Sequence, residues 1–325
     1  MLLSSGVTME YKHYDTDTDN ASTFLQTYGV ASIPNVLTVT ECVELRDKVW
    51  KEVSHITQNR FDINNKTTWK HFYDFFPLHS MLCQHWGLGH MQPIWDIRQH
   101  PNVRNIFEKV WETPDLLVSF DGLSIHLPPE DTKRGWYRKN IWMHTDQSSA
   151  KKGLHCIQGL INLYPVNEGD ATLSILENSH LHHEEFFAQS GKSSSIDWYK
   201  LQEDELNFFE TKGCQQVCLQ GNEGSMFLWD SRTFHQGIEA QKTRKESNFR
   251  MAVYICMTPK KQCSAAGIKK RIAAFENMRM TTHWPHIPKL FPVSPRTYGK
   301  CVPQFNQVNA PVLSDAGRKL VGYAL

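Results

Sequence analysis

Residues 224–235 read GSMFLWDSRTFH, which is an aromatic strand, a polar turn and then a histidine. Around this stretch, residues 116–259 contain short apolar runs separated by Gly, Asn, Asp, Glu and Ser, among them LLVSF, NIWMH, CIQGLINLY, TLSIL, QQVCL and FRMAVYICM. Many short strands with such spacing are typical of a closed or sandwiched all-β core. We therefore predict a double-stranded β-helix, the cupin-like jelly roll, in which a late strand returns a distant residue to an early one.

Helical patterns flank this β region. Thr38 and Glu41 form a capping-box pattern before a helix expected from about Thr40 to His55, and Pro101 is a favourable first-turn residue for a second helix. Helical spacing returns over residues 264–280. The predicted class is mainly β with flanking helices (α+β). We expect one domain over residues 1–325, with a mobile arm at 1–18, the jelly-roll core at about 116–259, and a C-terminal helix and extended tail at 260–325.

Composition argues against several classes of protein. Lys and Arg number 35 against 34 Asp and Glu, and the resulting net charge of +1 gives no field that would attract nucleic acid. No apolar run approaches the roughly 20 residues that a membrane helix needs. The eight cysteines are scattered, and the opening MLLSSGVTMEY has neither a basic start nor an apolar signal core. We expect an intracellular, cytoplasmic protein with a small-molecule substrate.

A histidine and an acid two positions apart occur in residues 141–146, IWMHTD. Because side chains on a strand alternate, Trp142, His144 and Asp146 should share one face. Chance alone should produce such matches among 16 histidines and 34 acids, so the pattern is weak evidence by itself. Two further matches, His182 with Glu184 and His183 with Glu185, overlap in a polar segment that we interpret as solvated.

Two later residues make the pattern more specific. His235 ends the 224–235 stretch and can return to the first pair as a third metal ligand. Arg250 begins an alternating strand in which Arg250, Ala252, Tyr254 and Cys256 share one face. An inward arginine needs an anion, and its planar guanidinium suits a carboxylate. Two imidazoles and one carboxylate on one side of a metal are the donor set of non-haem iron oxygenases.

Together these segments resemble the phytanoyl-CoA hydroxylase family. The resemblance rests on HTD at 144–146, NEGDATLSILENSH at 167–180, GSMFLWDSRTFH at 224–235, the inward Arg250, and TYGVASIPNVLT at 27–38. It implies an Fe(II)- and 2-oxoglutarate-dependent dioxygenase that uses O2 to hydroxylate its substrate and releases succinate and CO2. It further implies that His144, Asp146 and His235 hold the metal while Arg250 holds 2-oxoglutarate. Related halogenases replace the carboxylate ligand with a small residue, so Asp146 favours hydroxylation or desaturation.

Other residues have two interpretations. Trp142, Phe120, Trp229 and Tyr254 are cavity or second-sphere candidates, although most aromatic residues on strands are core. Asp230 could pair with Arg232 to hold the turn before His235. We expect His283 and His286 to belong to a tail packed over the barrel mouth, without a carboxylate partner. Lys269, Lys270 and Arg271 read as a solvated helix face. Arg250 could instead form a structural salt bridge.

Two other functions compete with the oxygenase. A non-catalytic jelly-roll protein could bind a metal or ligand in the same cavity without turnover. A zinc hydrolase could use the same two imidazoles and carboxylate. A hydrolase has no need for a dicarboxylate-binding arginine, so Arg250 argues against it, and the release of succinate distinguishes an oxygenase from a binding protein.

Overall fold

The computed structural model describes residues 9–139, 142–193 and 196–324. Two β-sheets form the centre of this part of the chain, and helices flank them. The predicted class, mainly β with flanking helices, is confirmed. Asn140 and Ile141, the first two residues of the predicted run NIWMH, lie outside the described residues.

Helices occur before, within and after the strand-rich region. They are α1 (Ala21–Tyr28), α2 (Val39–Ile56), α3 (Gln92–Arg98), α4 (Pro101–Trp111), α5 (Pro129–Thr132), α6 (His183–Ser190), α7 (Leu206–Thr211), α8 (Ala265–Glu276) and α9 (Asp315–Val321). Short 3-10 helices cover Lys66–Phe75, Leu88–His90, Ser179–His182 and Lys260–Gln262. No helix in the described ranges is both long enough and apolar enough to span a membrane.

Most strands lie in the middle of the chain. They are β1 (Glu10–Lys12), β2 (Val30–Ile33), β3 (Leu82–Cys83), β4 (Leu116–Val118), β5 (Leu123–His126), β6 (His144–Thr145), β7 (Ile157–Asn162), β8 (Thr172–Leu176), β9 (Tyr199–Lys200), β10 (Gln216–Leu219), β11 (Met226–Asp230), β12 (His235–Ile238) and β13 (Arg250–Pro259).

The strands form one sheet in the order β1-β10-β8-β12-β6-β9 and another in the order β2-β11-β7-β13-β5-β3, with β4 paired to β13. Going along the chain, β5, β7, β11 and β13 belong to the second sheet, while β6, β8, β10 and β12 belong to the first. The chain therefore crosses repeatedly between the sheets. This crossing places β6 beside β12, although the two strands are about ninety residues apart in sequence.

Two apolar clusters cover the two faces of the second sheet. Between the sheets lie buried side chains such as Leu160, Ile175 and Phe227. On the outer face, Val253 and Ile255 pack into a larger cluster that includes residues of α2, α3 and α4. The alternation predicted for β13 is thereby confirmed, because Ala252 belongs to the inner cluster and Val253 to the outer one.

Local signals located the main helices correctly. The backbone N–H of Glu41 donates to the Thr38 hydroxyl at 3.2 Å, and the Thr38 N–H donates to the Glu41 carboxylate at 2.7 Å, so the predicted capping box begins α2. Helix α4 begins at Pro101 as predicted. Helix α8 occupies the predicted C-terminal helical segment but ends at Glu276, where Asn277 follows as its C-cap.

The predicted mobile arm is wrong for residues 9–18, while residues 1–8 lie outside the described part. Strand β1 pairs in parallel with β10, and Glu10 lies opposite Val217. Tyr14 is buried in the cluster between the sheets, and its hydroxyl donates to the Glu177 carboxylate. The segment is ordered by pairing with a strand some two hundred residues later, which its polar composition does not signal.

Arg271 corrects the predicted solvated face of α8. Lys269 and Lys270 are exposed, but the Arg271 side chain is fully buried. Its guanidinium donates to four backbone carbonyl oxygens, those of Val118 (2.6 Å), Pro285 (2.8 Å), Leu320 (2.9 Å) and Val321 (3.1 Å). One side chain thus joins β4, the C-terminal tail and α9.

Replacing Arg271 with Met should lower the free energy of unfolding by about 3–4 kcal/mol, because four buried carbonyl groups lose their donor. Urea denaturation followed by circular dichroism measures this change. The matched control is Lys270→Ala, an exposed neighbour on the same helix, which should change stability by less than ~0.5 kcal/mol. Equal stabilities for the two variants would contradict this role of Arg271.

Candidate metal centre

Three residues predicted as metal ligands meet at the pairing of β6 with β12. His144 lies on β6, Asp146 follows that strand, and His235 is the first residue of β12, directly opposite His144. All three side chains are buried. Their ligand atoms lie within 4.8 Å of one another, and no other group of three or more such residues in the described ranges does so.

Backbone carbonyl groups set the tautomers of both imidazoles. His144 Nδ1 lies 3.1 Å from the Trp142 carbonyl oxygen, and His235 Nδ1 lies 2.9 Å from that of Thr233. A carbonyl oxygen only accepts, so each Nδ1 carries the proton and each Nε2 keeps its lone pair. The two Nε2 atoms lie 3.7 Å and 3.3 Å from Asp146 Oδ2. This arrangement suits a cation, since two lone pairs and a carboxylate converge.

The electrostatics of the site favour the protonation states of His144 and Asp146 that can bind a metal ion. Burial, reinforced by the charge of His235, lowers the pKa of His144 to about 4, so this imidazole is neutral at pH 7. Burial alone would raise the pKa of Asp146, but its interactions with His283, His144 and His235 hold that pKa well below its usual range. The site therefore presents a neutral imidazole and an ionised carboxylate.

Neighbouring groups fix the Asp146 carboxylate and the turn before His235. The side-chain amide of Gln158 donates to Asp146 Oδ2 at 2.9 Å, and the Asp146 N–H donates to the Ser231 carbonyl at 3.2 Å. Arg232 contacts both carboxylate oxygens of Asp230 through two nitrogens, at distances of 2.6–3.2 Å. The ion pair anticipated between Asp230 and Arg232 is present, and it lies in the turn between β11 and β12.

The segment 177–180, Glu-Asn-Ser-His, follows β8 and leads into a short 3-10 helix. Asn178 adopts φ of 62°, a left-handed conformation in which asparagine is tolerated much better than most residues with a Cβ atom. The hydroxyl of Ser179 accepts from the Phe234 N–H at 2.9 Å. The segment thus holds Phe234, the residue that precedes His235.

A cavity of about 420 Å³ opens beside the three ligand atoms. Trp142, Trp229 and Tyr254 line it, as anticipated. Phe120 does not, and this expectation is wrong: its ring packs against Trp95 and Phe275 in the outer core. The other lining residues are Leu78, His79, Leu82, Gln84, Asp121, His144, Asp146, Gln158, Leu173, Asp197, Trp198, His235, Gly237, Thr282, His283, Lys289 and Phe291.

Trp142 forms one wall through stacking. Its ring stacks on that of His79, with centroids 4.1 Å apart and planes at 9°, and on that of His144, with centroids 5.0 Å apart and planes at 16°. The indole N–H donates to the Gly237 carbonyl at 3.0 Å. These contacts hold the ring against the metal-facing imidazole, so Trp142 supports His144 as well as lining the cavity.

Arg250 is a buried cation without an acidic partner among the described residues. Its side chain lies on the inner face of β13, opposite His126 of β5, and the residue is 4% exposed. Nε has no hydrogen-bond partner, and Nη1 lies 3.8 Å from the Met81 sulfur. Burial lowers the pKa of the guanidinium. The structural salt bridge considered as an alternative is absent from the described part of the chain, which leaves Arg250 available to an anion.

Two histidine expectations need correction. His283 Nε2 lies 3.8 Å from Asp146 Oδ2, so this tail residue does face a carboxylate, whereas His286 Nδ1 contacts the Thr258 hydroxyl at 3.1 Å. His183 is fully buried rather than solvated, with Nε2 3.1 Å from the Gln147 carbonyl oxygen. No periodic pattern marks His283, because the tail reaches the three candidate ligands only through tertiary folding.

Replacing Arg250 with Met should raise the free energy of unfolding of the metal-free protein by about 1–3 kcal/mol, because an unpaired buried charge becomes an apolar group of similar length. Arg244→Met provides the opposite case, since the Arg244 side chain is also buried but pairs with Glu130 and, at 3.1 Å, with Asp170. We expect that variant to lose stability in the same urea titration. A loss of stability in both variants would contradict the idea that Arg250 lacks an internal partner.

No known family profile matches the chain. Among curated proteins, "Ava biosynthesis cluster protein O" of Aspergillus versicolor is 33% identical over 210 residues. The alignment covers 62% of this chain and 66% of that protein, so it spans just under two thirds of the relative's length.

Solved structures give a likeness of fold. A hypothetical protein of Escherichia coli, JW0805, aligns with a TM-score of 0.60 at 11% identity, over 96% of this chain and 85% of that chain. The non-haem α-ketoglutarate-dependent carbocyclase SnoK of nogalamycin biosynthesis aligns with a TM-score of 0.46 at 16% identity, over 75% and 85% of the two chains. At these identities the likeness to JW0805 concerns the fold alone, and the SnoK score is too low to add to it.

Proposed function

We propose that this protein is an Fe(II)- and 2-oxoglutarate-dependent oxygenase that hydroxylates an unactivated C–H bond of a small molecule. The observation that carries the proposal is the meeting of His144, Asp146 and His235, with two imidazole lone pairs and a carboxylate directed at one point. That donor set is the one found in non-haem iron oxygenases. Zinc also binds such a donor set. Arg250, which suits a carboxylate of 2-oxoglutarate, favours the iron enzyme.

The strand order supports a double-stranded β-helix core. Strands β5 to β8 alternate between the two sheets, and β11, β12 and β13 alternate again. This path brings the first strand of the metal pair, β6, beside β12, and it places β13 between β5 and β7 in the opposite sheet. In our proposal the metal ligands belong to one wall of the jelly roll and the co-substrate arginine to the other.

Arg250 favours 2-oxoglutarate over a hydrolytic function. A buried guanidinium with a free Nε and no acidic partner among the described residues requires an anion, and its planar fork matches a carboxylate. In the proposed arrangement the distal carboxylate of 2-oxoglutarate is that anion. A zinc hydrolase has no corresponding group to place there.

When bound, Fe(II) with 2-oxoglutarate and O2 supplies the oxidation of a C–H bond, with release of succinate and CO2. The chain holds the metal through His144, His235 and Asp146, whose tautomers and orientation are set by the Trp142 and Thr233 carbonyl groups and by Gln158. The aromatic walls exclude bulk water from the reacting centre. Arg250 orients the co-substrate.

The cavity favours a small substrate with an apolar or aromatic body. Rings of Trp142, Trp198 and Phe291 line it, and its volume is about 420 Å³. Arg250 is not among its lining residues, so binding by Arg250 requires the co-substrate to extend beyond this cavity. The name of the Aspergillus versicolor relative, a biosynthesis cluster protein, is in keeping with a small-molecule substrate. The more specific resemblance to phytanoyl-CoA hydroxylases stays part of the proposal.

Anaerobic addition of Fe(II) and 2-oxoglutarate should produce a visible charge-transfer absorption, and admission of O2 should release succinate. His235→Ala should abolish both signals because it removes one of the three ligands, and Asp146→Ala should abolish hydroxylation of the substrate. His182→Ala is the matched control: it belongs to a similar His-x-acid sequence, but its ring contacts Glu185 at 3.4 Å. An absorption without succinate would favour a binding protein, and binding of zinc with no response to 2-oxoglutarate would favour a hydrolase.

Arg250→Met should weaken binding of 2-oxoglutarate to the Fe(II)-loaded protein about 100-fold or more, because truncating one partner of a buried charge pair removes several kcal/mol of binding free energy. Titration of the charge-transfer absorption measures this affinity. Affinity for Fe(II) alone should stay within about threefold, since Arg250 is not one of the three ligands. Unchanged 2-oxoglutarate affinity would place the co-substrate elsewhere.

A further inference from the structure

The tail segment 280–291 forms a small hairpin at the cavity mouth. The Phe291 N–H donates to the Met280 carbonyl and the Thr282 N–H to the Lys289 carbonyl, both at 2.9 Å, while Thr281 bridges to Leu290. The turn between these arms is HWPHIP, residues 283–288. Thr282, His283, Lys289 and Phe291 line the cavity. Residues outside the two main sheets therefore close one side of the metal centre.

Several contacts hold this turn in place. The Trp284 ring is buried against the thiols of Cys156 and Cys256, and the Lys151 ammonium lies 3.9 Å from its ring centroid. Arg271 donates to the Pro285 carbonyl at 2.8 Å. The position of His283, next to Trp284, is consequently set by packing on three sides of the turn.

His283 directs an unused nitrogen at the metal centre. Its Nε2 is buried and has no hydrogen-bond partner, and it lies 3.8 Å from Asp146 Oδ2. Burial raises the pKa of Asp121, which lines the same cavity, and the charge interaction with His283 opposes that rise. An orphan imidazole nitrogen facing a buried carboxylate calls for a partner, because an unmade buried hydrogen bond is costly.

We propose that His283 is a positioning residue for the metal centre, donating a hydrogen bond from Nε2 to the Asp146 carboxylate when the carboxylate binds the metal. This inference rests on the proposed metal site. The 3.8 Å between His283 Nε2 and Asp146 Oδ2 exceeds the usual upper limit of a donor–acceptor distance by roughly 0.6 Å. A small rotation of the carboxylate would close this difference. His283 is not among the ligand atoms that lie within 4.8 Å of one another, so its role is to orient a ligand.

Asp146 then has donors from two parts of the chain. Gln158 donates from β7 at 2.9 Å, and His283 approaches from the C-terminal hairpin. Partners of this kind orient a coordinating carboxylate, and their loss typically reduces metal affinity by about 10- to 100-fold. The tail, which carries none of the three ligands, would thus control how tightly the metal is held.

Anaerobic titration with Fe(II) alone, and with Co(II) as a spectroscopic probe, tests this role without a substrate. His283→Ala should weaken metal binding about 10- to 100-fold, and His283→Gln should recover most of that loss because its amide can donate. His286→Ala is the matched control, since His286 lies in the same turn but contacts Thr258. That control should stay within about threefold of the unmodified protein.

Three other outcomes of this titration would overturn the inference. Equal affinities for the His283 and His286 variants would exclude a positioning role and would leave His283 as a substrate contact. Loss of binding as complete as in His144→Ala would make His283 a direct ligand. If His283→Ala fails to fold, a His283→Gln variant with weak metal affinity and unchanged unfolding midpoint would also overturn it. Normal metal binding by the unmodified protein without a 2-oxoglutarate response would refute the proposed oxygenase function and leave the role of His283 intact.

Discussion

The candidate site depends on one cross-strand pair, His144 of β6 opposite His235 of β12. Antiparallel register fixes which side chains are neighbours, and a slip by one residue would turn His235 to the other face of its sheet. The backbone carbonyl groups of Trp142 and Thr233 then set the imidazole tautomers. The arrangement of the three ligands is therefore a property of the sheet, and the loops around it add support.

The burial of Arg250 lowers the stability of the fold. A buried cation with no acidic partner among the described residues is unfavourable, and local conflicts of this kind in a well-packed protein tend to mark functional sites. Arg271 is buried to the same extent, yet four carbonyl groups satisfy it. Arg271, whose donors are satisfied by backbone carbonyl groups, is a structural residue. Arg250, which has no acidic partner in the described part of the chain, is a candidate co-substrate residue.

The C-terminal tail links stability to the proposed chemistry. Arg271 joins β4, α9 and the hairpin at 280–291, and the hairpin in turn presents His283 to Asp146. A side chain of α8 thereby contributes to the position of the turn that carries His283. Such coupling follows from close packing, because a displaced hairpin would carry Trp284 out of its pocket beside Cys156 and Cys256.

Sequence by itself determined the features that repeat locally. The capping box of α2, the start of α4, the two faces of β13 and the pair His144 and Asp146 follow from short-range spacing. His235 is predicted from the aromatic strand, polar turn and histidine at 224–235 and from the family resemblance. Tertiary structure alone decided that residues 10–12 form a strand, that Phe120 packs in the outer core, that Arg271 is buried and that His283 reaches the metal centre. The physical reason is distance along the chain: each of these placements comes from contacts with remote segments, which leave no periodic trace in the residues themselves.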